Sequence, residues 1–594
     1  MDKDVFYNTE YKSKRNPKLH SAKRAEYMKK GCNMSKRKIS RLLVLVLTAG
    51  MLVTGCGSTS KEAAEVVSES VADTENKEDV EPTTYEGTEI VLSDTDITVD
   101  GTAISTDSAA VYVGADIVYY EAGQDETYGA GDESDGHTAD EAAANTVVTI
   151  TQPGTYIVSG KLSAGQIAID LGEDAKEDPT AVVNLVLNNA DITCDVASAI
   201  IAYNVYECGS DDVDSATKDV DTSAAGFNLI IADGSENTIT GSHVAKIYKE
   251  GTTAEDIAND TAKKAHKYDA AIESQMSMNI NSGAVGDGKL IVNADNEGIE
   301  TKLHMTINGG VLTVNANDDS INAGEDSVSV ITVNGGTITC DSGSGDGDEG
   351  DGIDSNGWIV INDGYIIACA NARSQDSGVD SDMGVYINGG TVLASGHMYD
   401  EISADSAQKF MVLGFDKDVT EEEIVLITDT DGNAVSAFRA VNDYSIIVYS
   451  CPQLIDGDYN LYKVSSVEGE LNGSIYTNIT DYADALQLQY TSSSMRGAGG
   501  FGGGQRPEGE MPDGEKPANM PEGERQTDMD NKEMPEGEKP AEIPEDMKNG
   551  DGKGNRPADL PQNGETDTTQ TIEASKIFSL SADSYQFSGI TIAE

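Results

Sequence analysis

The sequence predicts an all-β chain, a single-stranded parallel β-helix with a small C-terminal β module, and three observations carry that expectation. The first is a period. Asn recurs at 281, 308, 334, 362 and 388, at spacings of 27, 26, 28 and 26 residues, and a period in this range marks stacked supersecondary units. The second is the turn each anchor opens: Asn308-Gly309-Gly310, Asn334-Gly335-Gly336, Asn362-Asp363-Gly364 and Asn388-Gly389-Gly390, with Asn281-Ser282-Gly283 as a variant. The third is an apolar frame that alternates by two, the signature of strands rather than helix.

The frame returns at each anchor. Three residues before it stand Met278, Met305, Ile331, Ile359 and Val385, and one before it Ile280, Ile307, Val333, Ile361 and Ile387. After the glycines come Leu312/Val314, Ile338/Cys340, Ile366/Ala368 and Val392/Ala394. A third apolar point closes each unit at Ile299, Ile321, Ile353, Val379 and Ile402. Three short strands per period place each inward residue on its copy about 4.8 Å away. The asparagines Asn281, Asn308, Asn334, Asn362 and Asn388 are expected to form a ladder, each amide bonding the next and each backbone taking the left-handed corner that Asn tolerates. Asn-Gly between alternating strands is also a hairpin signal, but separate hairpins need no matching side chains one period apart.

The chain divides by composition. Of its 594 residues 40 are basic and 104 acidic. Such acidity argues against nucleic acid, whose phosphates need a basic surface, and suits hard cations such as calcium. Residues 1–55 hold 13 of the basic residues and four acids, which leaves 27 basic against 100 acidic beyond them. There Met34-Ser35-Lys36-Arg37-Lys38 precedes the apolar run Leu42 to Val53, too short for an ordinary span, ending in Val53-Thr54-Gly55-Cys56. This ending resembles the lipobox of bacterial lipoproteins, which implies lipid on Cys56 and an extracellular protein anchored to the bacterial cell membrane. A plain signal peptide or short anchor is the alternative, and Met34 is a second candidate start.

Residues 56–86 read as an acidic tether, 87–406 as the β-helix and 407–494 as a cap module, because open strand edges need covering. Residues 495–572, with Pro-Glu-Gly-Glu at 507, 521 and 535, read as a disordered insert, and 573–594 as a terminal strand segment that pairs back onto the cap. Residues 121–146, 209–225 and 249–268 read as polar excursions, the last with room for a short helix. Cys194, Cys208, Cys340, Cys369 and Cys451 show no metal-type spacing and are expected to be thiols rather than a disulfide framework.

Acids recur beside the third apolar point: Glu297 and Glu300 around Ile299, Asp318 and Asp319 before Ile321, Asp351 and Asp354 around Ile353, Asp376 and Asp380 about Val379, Asp400 and Glu401 before Ile402. Stacked units turn these into a column of like charges, which repel unless a cation lies between them. Calcium takes six to eight oxygens at about 2.3–2.6 Å in irregular geometry and fits such a group. The densest acidic run is Gly345 to Asp351, without EF-hand spacing. The bland reading is a solvated acidic face.

Several stretches together carry a family resemblance. They are Thr149 to Gly160, Gly165 to Asp170, Asp269-Ala270-Ala271-Ile272-Glu273, Gly286 to Leu290, Asn317 to Ile321, Gly350 to Asp354, Ser450 to Leu454 and Gly457-Asp458-Tyr459. They look like a family of carbohydrate-binding bacterial surface lipoproteins over about 147–465. The resemblance implies a right-handed, pectate-lyase-like parallel β-helix and calcium-assisted binding of acidic plant polysaccharide, particularly polygalacturonate. The long acidic inserts, Asn322 and Ser403 depart from the pattern. Calcium makes sense for a polyuronate, which this acidic surface repels until a bound cation reverses the local sign. Trp358, Tyr365, Tyr386 and Tyr399 are the aromatic candidates for sugar contact, and a monomer is expected. A polysaccharide lyase is the rival class. It needs a Lys or Arg base beside the metal, and of Lys289, Lys302 and Arg373 between 270 and 405, Lys302 stands nearest an acidic cluster. A glycosidase has no singular acid pair to support it. A structural stalk or adhesin without sugar specificity is the third reading.

Overall fold

The computed structural model describes residues 80–114, 116–343, 347, 349–494 and 574–593. The proposed signal region, its Cys56 and most of the tether lie outside these residues, as do Asp346, Asp348 and the Pro-Glu-Gly-Glu segment.

Alternating apolar residues make strands here because one set can be buried on its own copies. Met278 pairs in register with Met305, Met305 with Ile331, Ile331 with Ile359, and Ile359 with Val385, all in parallel. A second parallel ladder stacks Leu290, Leu312, Ile338, Ile366 and Val392. The third stacks Val148, Ile167, Ile200, Ile272, Ile299, Ile321, Ile353 and Val379. These residues are buried in one continuous core, and each fully buried aliphatic contributes about 1.5–3 kcal/mol. Ile402 leaves the third file and bridges Val385 instead.

The expected fold class, a right-handed single-stranded parallel β-helix with a separate small module, is corrected by the pairing as a whole. Among the described residues the strands form two large mixed sheets, of 27 and nine strands, and an antiparallel one of three. The largest sheet includes the C-terminal strands. Thr391–Gly396 pairs antiparallel with Tyr444–Ser450, which pairs antiparallel with Phe410–Val419. The physical reason is the open edge of the last parallel strand, which antiparallel neighbours take up. A sequence period reports side-chain alternation and spacing; it does not report which strands share a sheet. The segment Gln586–Ile592 pairs parallel with Phe410–Val419, and Phe578–Leu580 antiparallel with Gly457–Val464. Both are packed on a second core around Tyr444, Tyr449 and Phe587.

The asparagines stand in one file. The side-chain amide of Asn308 donates to Asn281, Asn334 to Asn308, Asn362 to Asn334 and Asn388 to Asn362, each at 2.9 Å. The left-handed corner belongs elsewhere than expected. It is taken by Gly310, Gly336, Gly364 and Gly390, with φ of 99°, 99°, 114° and 79°, so the asparagines keep ordinary backbone and glycine carries the strained place. The excursion at 249–268 contains the short helix Ala254–Ala258, capped by Thr253, and the strand Lys264–Tyr268. That strand pairs antiparallel with Val244–Tyr248 in the three-stranded sheet. Cys194, Cys340, Cys369 and Cys451 are buried free thiols, and Cys208 is half-buried.

Candidate functional site

The nine-stranded sheet positions the acids. On its strands the residue after each stacked isoleucine or valine falls in register with its copies, giving the column Glu273, Glu300, Asn322, Asp354 and Asp380. Adjacent strands put neighbours in such a column about 4.8 Å apart. Residues just upstream crowd the same edge, and two groups of three carboxylates emerge. In each group, one oxygen per residue lies within 4.8 Å of the others.

The first group is Asp269, Glu297 and Glu300, all buried. Asn322 donates to Glu297 Oε2 at 3.1 Å, and neighbouring Glu273 receives the Gln275 amide at 2.6 Å. Lys267 forms an ion pair with Asp269. Glu300 Oε2 and Asn322 Oδ1 are buried without a hydrogen-bond partner. Burial first, then repulsion from Glu300, pushes Glu273 and Glu297 well above the usual carboxylate range; Glu300 is raised by burial and then by Asp269.

The second group is Asp351, Asp354 and Asp380. The Ser377 N–H donates to Asp351 Oδ1 at 2.6 Å, and the Asp351 N–H donates to Asp319 at 2.7 Å. Asp380 Oδ1 is a buried oxygen without a partner. Burial, then Asp380, raises Asp354 to about 8; burial, then Asp400, raises Asp380 to about 7. Asp351 and Asp319 are driven well above their ordinary values, by burial and then by Asp319 and Asp354 respectively. Four further acids surround the group. Asp318 is raised to about 6 by burial and Glu349, and Asp400 receives the Ser381 N–H at 2.9 Å. Asp376 receives the Gly350 N–H at 2.7 Å, and Asp382 is raised by burial and Asp326. Glu401, by contrast, is exposed and outside both groups.

A carboxylate held this far from its usual titration is an unhappy anion. Protons or a cation relieve it, and an oxygen-only donor set with unpartnered buried oxygens suits a hard divalent cation. Both groups therefore have the donor chemistry that calcium requires.

The remaining sequence candidates fall differently. Lys302 is half-exposed and lies 3.8 Å from Glu325. Trp358 is half-buried in Trp358–Ile361. The Tyr365 hydroxyl donates to Asn472 O at 2.9 Å, tying it to the C-terminal strands. Tyr386 has the Lys218 ammonium 5.1 Å from its ring centre. Tyr399 is buried, bonded to Gln586 at 3.0 Å. Sequence reasoning missed Asp269, Glu273 and Lys267 as site residues. The signal for Glu273 was present, since Ile272 is an earlier copy of the third apolar point and Glu273 follows it as Glu300 follows Ile299. Lys267 lay outside the 270–405 window searched for bases.

Among curated proteins nothing matches the chain. Among solved structures it is similar to "Structure of the polysaccharide lyase-like protein from C. thermocellum, Gadolinium derivative", at 19% identity and a TM-score of 0.30, over 53% of this chain and 91% of that one. Residues 144–437, which contain both carboxylate groups, match the family described as "Carbohydrate-binding domain-containing protein".

Proposed function

We propose that this protein binds acidic polysaccharide, of the pectin or polygalacturonate type, through calcium held by the two carboxylate triads, and that lipid on Cys56 tethers it outside the bacterial cell. The observation that carries the reading is the pair of carboxylate triads, each containing a buried oxygen without a hydrogen-bond partner among the described residues. The two triads would hold calcium through their carboxylate oxygens, and the ion would offer a uronate carboxylate its remaining coordination positions and a locally reversed charge. Asp351, Asp354 and Asp380, with Asp319, are the ligands assigned to the second group; Asp269, Glu297 and Glu300 those assigned to the first. Retention on pectin in calcium, lost in chelator, is the expected result of a pull-down with the purified chain. Equal retention in both conditions removes the calcium bridge, and no retention in either favours the structural stalk.

The lyase reading has weaker footing in the geometry. Its named base, Lys302, reaches Glu325 rather than either triad. Lys267 does stand at a triad, but its ammonium is ion-paired with Asp269, a contact that favours the charged amine. A protonated amine cannot take the proton beside the uronate carboxylate. Incubation with polygalacturonate and calcium is expected to give no rise in the ultraviolet absorbance of unsaturated products; a rise abolished by Lys302→Ala reinstates the enzyme.

A further inference from the structure

We propose that Lys267 sets the order in which the two triads take calcium. Its ammonium is the resident counter-ion of Asp269, Glu297 and Glu300, so calcium fills the Asp351, Asp354 and Asp380 group first. This inference rests on the calcium reading above and adds a specificity-determining residue to it.

The two triads share ligand type and mutual distance, the first buried and the second half-buried. They differ in what faces them. Lys267 Nζ forms an ion pair with Asp269 Oδ2, and Glu300 and Glu297 also act on its charge. The charges acting most strongly on Asp351, Asp354 and Asp380 are all carboxylates; Asp351 and Asp354 receive backbone N–H groups, of Ser377 and Ser355, and Asp380 shares a side-chain hydrogen bond with Asp400. An ammonium so close opposes a dication by direct repulsion and also occupies an oxygen that the dication needs.

Lys267 does not satisfy its triad completely. Three carboxylates face one ammonium, and Glu300, only 8% exposed, keeps Oε2 without a partner. The first triad therefore retains capacity for a cation once the lysine charge is gone. The lysine arrives on Lys264–Tyr268, a strand outside the repeating ladders whose partners are Val244–Tyr248 in the three-stranded sheet. Its side chain is 38% exposed against 10% for Asp269. It is thus held at the mouth of the cluster by a structure separate from the column it neutralises.

The test compares the intact chain with Lys267→Met and Lys267→Arg, each stripped with chelator and titrated with calcium in a calorimeter. Met keeps the apolar stem without the charge, and Arg keeps the charge. Wild type and Lys267→Arg are expected to show one tight site, lost in Asp354→Asn. Lys267→Met is expected to gain a second site, or to tighten its weaker one by about tenfold or more, since a unit charge removed at this range is worth at least that factor. That gain must vanish when Glu300→Gln is added. Titration curves for Lys267→Met that match wild type overturn the proposal, as does a wild-type tight site lost in Glu300→Gln and kept in Asp354→Asn. Wild type that takes up no calcium at all overturns the calcium reading itself, a result distinct from the other two. Lys267→Gln replaces Lys267→Met if the latter does not fold, with the same outcomes deciding.

Discussion

Two columns of polar side chains run along the same repeat at nearly the same interval, and they behave oppositely. In the asparagine file each amide from Asn308 to Asn388 donates a hydrogen to the oxygen of the copy behind it, at 2.9 Å throughout. An amide is both donor and acceptor, so the file satisfies itself. The carboxylate column of Glu273, Glu300, Asp354 and Asp380 has the same in-register neighbours. Ionised carboxylates only accept, so stacking them produces repulsion and unpartnered oxygens instead of bonds. Asn322, the one amide in that column, donates to Glu297 and relieves it locally. Stacking supplies proximity. The chemistry of what is stacked decides whether a column closes on itself or requires a cation from outside.

The largest test of that contrast is to supply the cation. Calcium at a hundredfold excess over its dissociation constant is expected to stabilise the chain by about 2.7 kcal/mol per site, read as a rise in melting temperature. Asp354→Asn combined with Asp380→Asn should abolish the contribution of the second triad. A wild-type melting temperature indifferent to calcium would show that the column has found another remedy.

Next in size is the response to protons, measured in chelator. Asp354, Asp380 and Asp318 have folded pKa values of about 8, 7 and 6, all above the ordinary aspartate value of 3.8. The unfolded chain therefore loses these protons first. Their effect is absent below about pH 4, where both states are protonated. Stability falls as pH rises from about 4 to about 8, by about 1.4 kcal/mol per pH unit for each proton the native state holds in excess. Above that window the loss levels off. Calcium should flatten the slope, because it stabilises the ionised form in the folded state. A denaturation series whose stability rises with pH across this window, without calcium, contradicts the assignment.

What the sequence made legible, and what it did not, follows from the same physics. Period and alternation report which residues stack, and Met278, Met305, Ile331, Ile359 and Val385 do stack in register. They carry no information about sheet membership, so the 27-stranded mixed sheet and the antiparallel turnover at Thr391–Gly396 had no signature. Glu297, Glu300, Asp351, Asp354 and Asp380 fall into the two triads because they flank the third apolar point of the period. Lys267 escaped because it lies within the strands and helix of 244–268 that interrupt the period, and Asp269 because it directly follows them. Tyr399 looks like its fellow aromatics in the sequence, and only packing shows that it is buried.

The smallest effect sharpens the comparison from the other side. Asn334 is exposed, donating to Asn308 and accepting from Asn362. Asn334→Ala removes both bonds and is expected to cost about 1–3 kcal/mol, since each net hydrogen bond contributes about 0.5–1.5 kcal/mol. Asn334→Asp still accepts from Asn362 and loses only the donor toward Asn308, so its cost should be smaller, read by denaturant titration at neutral pH. It also places one carboxylate among neutral amides, in water, where no like charge is stacked on it. The melting temperature of this variant should therefore gain no more from calcium than that of wild type. A new calcium response in Asn334→Asp would mean that a single exposed carboxylate in a file suffices, and that crowding of buried acids is not what recruits the cation.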